Sequence, residues 1–315
     1  MRVTLVAIPL VISALAIIGL WAHRRGGTRT PPRVLMLEWA LLALLLLLAL
    51  GHSHLGLVPA ADKVPWLLIA GLVLLLAHRV GRLLLALRGS LGASLPARPP
   101  WPFFALPLVV YLAILPWSVS KHSPDGDEPH YLLLTHSLAF DLDTDLANNY
   151  AGDDSLSFID RRLKPQLGDP VGRNGELYSR HNMLLPLVLA PAYRLFGPLG
   201  ALGIMAALTA AVCWAMLALA SHYTPNHPGE AVAAYAILAF TAPLLLYSYQ
   251  IWVEVPAALL TLIVLIEIHR SGKPSSSVTL GWLALVVSLL LLPLLKLRFL
   301  LIAVSLVVLM SIRCD

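Results

Sequence analysis

Apolar positions along this chain come in long runs, and with one exception the polar positions between them are brief. The runs cover about Val3 to Ala22, Val34 to Leu50, Trp66 to Ala77, Phe103 to Val119, Leu199 to Ala220, Ala231 to Tyr247, Val253 to Ile268, Val278 to Leu295 and Phe299 to Ile312. A helix needs roughly 20 mostly apolar residues to cross the hydrocarbon of a bilayer. The pattern therefore predicts an all-α, polytopic transmembrane helix bundle of about nine spans. The first run has no basic flank beyond Arg2 and too long an apolar core for a signal peptide, so it reads as a retained span. A shorter run, Met183 to Phe196, carries Pro186, Pro191 and Arg194 and reads as interfacial or re-entrant. Val80 to Ala86 either extends the third span or lies along the surface with its arginines snorkelling.

The exception is the stretch from Ser120 to Asn182, which holds eleven of the seventeen Asp and Glu residues. Pro129 restricts Glu128 to extended geometry and can open a helix. Pro129 to Phe140 then reads as a short amphipathic helix with Tyr131, Leu134 and Leu138 on one side. The expected organisation is three additional spans in residues 1–100 and a membrane core in 101–315. That core contains an acidic loop, 120–182, that carries short interfacial helices.

Composition agrees with the run pattern. Hydrophobic residues make up 58% of the chain and charged residues 12%, with a mean hydropathy of +0.80. That is too little charge to cover a soluble protein of this length. The formal charge of +5 does not imply nucleic acid, because the basic residues cluster beside spans. His23 to Arg33 and His78 to Arg98 are basic and acid-free, which reads as cytoplasmic. The acidic loop is then extracytoplasmic. If Met183 to Phe196 does not cross, His269 to Lys273 is also cytoplasmic, while Lys296 and Arg298 fall outside, against the charge rule. A cation held at an outer membrane edge in that way wants an anion. Cys213 and Cys314 are not expected to pair, since one lies inside an apolar run and the other beside the C-terminus.

Several constellations are candidates for chemistry. Asp127 and Glu128, just beyond a span, suit a general base or a metal ligand, or simply cap the following helix. Asp141, Asp143 and Asp145 alternate before Asn148 and Asn149, as in a calcium-type oxygen cluster or a solvated turn. Asp143 and Asp145 also make a D-x-D pattern, which in an acidic loop discriminates little. Arg180 and His181, in Tyr178-Ser179-Arg180-His181-Asn182, suit a phosphate or a sugar hydroxyl, or headgroup anchoring. Glu254 lies at a span junction, where an ionisable group is costly and usually functional. Lys296 and Arg298, two residues apart beside lipid, suit a lipid-linked phosphate; the alternative is snorkelling. His52 and His54 lack a third ligand and read as polar loop residues.

These motifs, in this order, resemble the GT-C superfamily of polytopic glycosyltransferases, in particular the branch of protein O-mannosyltransferases and aminoarabinose transferases. The resembling stretch runs from about Trp101 to Ile312. It contains Asp127-Glu128-x-x-Tyr131, Tyr178-Ser179-Arg180-His181, Leu195-Phe196-Gly197, Gln250-x-x-x-Glu254-x-Pro256 and Leu292-Pro293-x-x-Lys296-x-Arg298-Phe299. The resemblance implies a polyprenyl-phosphate sugar donor, a glycan, lipid or protein acceptor, and inverting transfer on the extracytoplasmic side of a cell membrane. It implies Asp127 as catalytic base, Glu128 as an aid to positioning, and Lys296 and Arg298 as holders of the lipid phosphate. From the constellations themselves, Tyr131, Arg180, His181 and Glu254 are expected among the substrate-binding residues, and a divalent cation held by Asp141, Asp143 and Asp145 is a candidate cofactor. Three features depart from the family pattern. Three spans precede the matching core, the chain stops soon after Ile312, and Lys296 stands where many members have His. The competing expectations are a transporter or flippase for lipid-linked sugar and a non-catalytic subunit of a glycan-assembly complex.

Overall fold

The computed structural model describes residues 99–166, 168–270 and 278–314. The three N-terminal runs, their basic loops, His52, His54 and the segment 271–277 lie outside the described residues. Within them the chain is all-α, with no strand and a lone antiparallel bridge between Val171 and Leu177. The elements are α1 (Pro102–Lys121), α2 (Glu128–Phe140), α3 (Ala147–Ala151), α4 (Leu184–Phe196), α5 (Pro198–Tyr223), α6 (Pro228–Phe240), α7 (Leu244–Tyr247), α8 (Glu254–Arg270), α9 (Val278–Leu295) and α10 (Leu300–Cys314). Short 3₁₀ turns cover Asp154–Ser157 and Leu297–Phe299. Among the described residues two helices, over Pro102–Ser120 and Pro198–Tyr223, are long and apolar enough to cross a membrane.

Helix α5 is the central element. Buried Ala201, Ala206, Ala210, Ala215 and Ala218 give it small faces on which α1, α4, α6 and α8 pack closely. Polar side chains inside this bundle are satisfied locally, as a low-dielectric interior demands. The Tyr111 hydroxyl donates to the Ala239 carbonyl at 2.6 Å, that of Tyr235 to Phe103 at 2.7 Å, and the Trp214 indole to Pro99 at 2.9 Å. These bonds tie α1 and its entry to α5 and α6. Helices α8, α9 and α10 complete the second side. Leu283, Leu290, Leu294, Leu301, Val304 and Val308 remain exposed on the outer faces of α9 and α10.

The run Ala231 to Tyr247, expected as one span, is divided. Helix α6 stops at Phe240 and α7 restarts at Leu244, around Pro243. A proline lacks the amide needed to continue a helix and pushes its predecessor out of the α region. Helix α2 also differs from its expectation. It is buried around most of its circumference, from Glu128 to Thr135 and again at Ser137 and Ala139, because α4 packs along it and the acidic loop closes over it. Leu133, Ile159 and Leu163 form the small apolar cluster under that loop. At the joint between α4 and α5, Gly197 adopts φ 59°, a conformation costly to residues with a Cβ. Three residues on, a Cβ at Gly200 would sit 2.0 Å from the carbonyl oxygen of Ala192. Glycine at both places lets the short helix fold back directly against the long one.

Candidate functional site

The site forms where four separated stretches meet: the start of α2, the segment Tyr178–Asn182, the start of α8, and the turn after α9. Gly126 opens it. Its φ of 61° makes the turn that delivers Asp127 to the first position before α2, with the Trp252 ring packed behind. Asp127 occupies the N-cap position, and its backbone carbonyl accepts from the amides of His130 and Tyr131, both at 3.1 Å. Its carboxylate makes no capping hydrogen bond. It faces outward instead, with Oδ2 3.7 Å from Lys296 Nζ and Oδ1 3.8 Å from His181 Nε2. The capping alternative for Asp127 therefore does not account for its placement.

Glu128, its neighbour, has a different task. Its side chain is buried. Oε1 accepts from the Ile251 amide at 2.5 Å and Oε2 from the Asp125 amide at 3.3 Å. Burial pushes the carboxyl pKa up, and the two amide hydrogen bonds oppose that shift. Glu128 thus pins the start of α2 to the segment that leads into α8.

His181 is buried against the Tyr131 ring, with centroids 4.7 Å apart. Its Nε2–H donates to Gln166 Oε1 at 2.7 Å. Burial holds its pKa below the usual histidine range, Asp127 pulls it upward, and Lys296 and His130 press it down again. At neutral pH His181 is an uncharged donor. Gln166 is fixed in turn by Asp169, whose carboxylate accepts from the amides of Gln166 at 2.8 Å and Arg180 at 3.2 Å. The Arg180 charge reaches His130 and His181 and depresses both. Asn182 closes this strand of contacts by donating to the Leu294 carbonyl at 3.0 Å, which fastens the loop to the end of α9.

Arg298, two residues beyond Lys296, pairs with Glu254 Oε1. Glu254 Oε2 is buried and unpartnered, and so is the Tyr131 hydroxyl. Each such atom costs about 1–3 kcal/mol if nothing satisfies it. Burial pushes the Tyr131 hydroxyl pKa up to about 12; Asp127 and Glu254 push the same way and Arg298 opposes them. The phenol therefore stays protonated. Behind Glu128 lies a cleft of about 890 Å³ lined in part by Ser118, His122, Asp125, Phe158, Asp160 and Tyr249.

The structure gathers Asp127, Tyr131, His181, Glu254, Lys296 and Arg298, which lie far apart in the chain. It does not gather Asp141, Asp143 and Asp145. Asp141 accepts from the Asn148 and Asn149 side chains, Asp143 from Ser137 and the Asp145 amide, and Asp145 from the amides of Ala147 and Leu177. These bonds build the loop. Among the described residues no group of three or more His, Cys, Asp or Glu is placed to hold a metal. Gln166 and Asp169 join the site without any signal in the sequence, since an isolated Gln or Asp in an acidic loop has no distinguishing spacing. No known protein family matches the chain, and no characterised protein or solved structure matches it either.

Proposed function

We propose that the protein is a polytopic membrane glycosyltransferase that moves a sugar from a polyprenyl-phosphate donor to an acceptor on the extracytoplasmic side, with inversion. The observation that carries this reading is the Asp127 carboxylate. It sits at a helix start without capping it and is partly exposed. It lies beside one cation, Lys296, with a second, Arg298, in the same cluster. In this reading the acceptor hydroxyl attacks the anomeric carbon while Asp127 takes its proton. The bond to the lipid phosphate breaks on the opposite face. Lys296 and Arg298 stabilise the charge that grows on the departing phosphate. The two cations leave their carboxylate partners for the phosphate, and Asp127 is thereby released to act. The cleft behind Glu128, with Asp125, Glu128 and Asp160 in its lining, suits a hydroxyl-rich, uncharged acceptor better than an anionic one.

The membrane setting is part of the proposal. About nine spans, with α4 lying in the interface, put the ends of α1, α8 and α9 that carry the site on the outer side. A prenyl tail could then stay in lipid against the exposed faces of α9 and α10. A carrier for lipid-linked sugar would need polar groups along a path through the bundle. The site charges described here sit together at one end instead.

The test is transfer by the purified full chain in lipid nanodiscs, supplied with polyprenyl-phosphate sugars and a host glycan extract. Wild type is expected to release polyprenyl phosphate, and Asp127→Asn to lower that release by at least about a hundredfold, the low end for loss of a general base. Wild-type rates in a folded Asp127→Asn variant would remove Asp127 from the mechanism.

A further inference from the structure

The cleft of about 890 Å³ behind Glu128 is walled by the end of α1, the start of α2, the acidic loop and the link from α7 to α8. Small-molecule sites commonly measure roughly 300–1,000 Å³, so it has room for a ligand larger than one sugar ring. Leu132, Ile159 and Ile251 line it and are buried, which gives it an apolar floor. Its exposed edge is polar. Asp125 and Asp160 stand in solvent there, and Gln250 is partly buried. Glu128 braces two parts of the wall: one oxygen holds the Asp125 amide at 3.3 Å and the other the Ile251 amide at 2.5 Å. Asp125 and Gln250, next to Ile251, are thereby held in place before any ligand arrives. Two rings complete the lining. His122 and Tyr249 lie with centroids 6.2 Å apart, and Trp117 packs on His122 at 5.7 Å.

This lining narrows what can fill the cleft. Among the described residues it holds three carboxylates and no lysine or arginine, so an anion is repelled. A lipid chain would take water from Asp125, Asp160 and Gln250 and return no hydrogen bond. A pyranose ring matches both halves of the cleft. Its C–H faces are apolar and lie flat on an aromatic ring, while its edge carries hydroxyls. Those hydroxyls donate to the carboxylates of Asp125 and Asp160, and they both donate to and accept from the Gln250 amide. We infer that the cleft binds a neutral pyranose chain, with Tyr249 as the stacking platform and Asp125, Asp160 and Gln250 as partners for its hydroxyls. On the glycosyltransferase reading this chain is the acceptor, and the inference rests on that reading for the acceptor role and deepens it by making the acceptor a glycan. Asp127 lies between Asp125 and Glu128 in the chain, so the residues on both sides of the proposed base belong to the wall of this cleft.

Binding measured without a donor tests the cleft. The probes are neutral tetrasaccharides of glucose, mannose, galactose and N-acetylglucosamine, titrated by saturation-transfer NMR against the full chain in nanodiscs. Sorbitol, a glucosamine tetramer and a serine-rich peptide are the comparison ligands. Wild type is expected to bind at least one neutral tetrasaccharide about tenfold or more tightly than sorbitol, which has hydroxyls but no ring face. Tyr249→Ala is expected to erase that preference, and Tyr249→Phe, which keeps the ring, to hold it within about threefold. Asp160→Asn is expected to weaken the tetrasaccharide by about tenfold, the factor for one hydrogen bond to a charged group. Wild type that prefers none of the tetrasaccharides to sorbitol overturns the inference, as does tighter binding of the glucosamine tetramer or the peptide. Full affinity in both Tyr249→Ala and Asp160→Asn overturns it too. Thermal unfolding separates lost binding from lost structure, and Asp160→Asn serves if Tyr249→Ala does not fold. Release of polyprenyl phosphate by a wild type that binds no tetrasaccharide overturns the cleft and keeps the glycosyltransferase reading. Tetrasaccharide binding lost in Tyr249→Ala, in a protein that releases no polyprenyl phosphate, upholds the cleft and overturns that reading.

Discussion

At the scale of single residues, two adjacent carboxylates are divided by their hydrogen bonds. Asp127 spends its carboxylate on no backbone donor, while Glu128 gives both oxygens to amides. Glu128→Ala leaves the amide of the buried Ile251 without a partner. It is expected to lower the unfolding free energy by about 1–3 kcal/mol, and Glu128→Gln, which keeps one acceptor oxygen, by less. Denaturant unfolding of the purified protein measures both. An alanine variant as stable as wild type would show that the brace is dispensable and return Glu128 to the list of groups that act on substrate. Sequence alone could not divide the pair, because the deciding amide at Ile251 is more than a hundred residues away. The remaining cluster was legible for a simple reason. Ionisable residues beside apolar runs stand out, so Asp127, Glu254, Lys296 and Arg298 could be singled out one by one. Gln166 and Asp169 carry no such contrast, and only the folding of the loop gives them a role.

At the scale of elements, the apolar runs and the helices agree closely where a run has uniform composition. Phe103 to Val119 became Pro102–Lys121, and Val278 to Leu295 became a helix with the same limits. Disagreement arises at Pro243, where the helix stops at Phe240 and restarts at Leu244, although the helices continue through Pro107, Pro116 and Pro293; hydropathy registers proline as an apolar residue and is blind to its missing amide. Helix α2 was misjudged for another reason. Periodicity reports how many sides of a helix are apolar, but the loop that covers its polar side is a tertiary event. Helix α4 matters most for the topology. It is 13 residues long, buries Leu185, Leu189 and Tyr193 against its neighbours, and exposes Leu187, Val188, Leu195 and Phe196. A helix of that length spans about 20 Å, short of the hydrocarbon thickness; α6 is equally long, but α7 carries its apolar run on to Tyr247, whereas nothing lengthens α4 before the turn at Gly197. If it lies in the interface, the loop before it and the basic segment at His269 to Lys273 are on opposite sides. A cysteine placed at Arg173 in a chain lacking Cys213 and Cys314 is then expected to react with an impermeant maleimide in intact cells. One placed at Ser275 is expected to react only after permeabilisation. Labelling of Ser275→Cys in intact cells would mean that α4 crosses.

At the scale of the whole molecule, the buried histidines couple stability to acidity. His130 packs beside His181, with ring centroids 6.2 Å apart, and its Nδ1 lies 2.9 Å from the Tyr150 hydroxyl. Burial is the leading cause that lowers the pKa of each; Asp169 and Asp127 partly offset it at His130, and Asp127 at His181. In the unfolded chain both titrate near the ordinary value of about 6.5. The unfolded state therefore binds more protons than the folded state in the window between the lowered values and about 6.5. Stability from this source is fully present above that pH and is lost as the pH falls through the window. Glu128 acts with the opposite sign, in a window that begins at the ordinary carboxylate value. Its raised pKa makes the folded state the better proton acceptor, so its contribution is present below the ordinary carboxylate value of about 4.5 and lost as pH rises through the folded value. Between pH 7.5 and 5.5 the two histidines act in one direction and Glu128 in the other. The thermal midpoint of the protein in nanodiscs is expected to be lower at pH 5.5 than at 7.5, and a His130→Gln, His181→Gln double variant to show a flatter dependence. The variant starts from lower stability because the bonds to Tyr150 and Gln166 change, so the slope with pH is the quantity that decides. An unchanged slope would place the acid sensitivity elsewhere in the molecule. A flattened one would show that His130 and His181 carry the acid sensitivity.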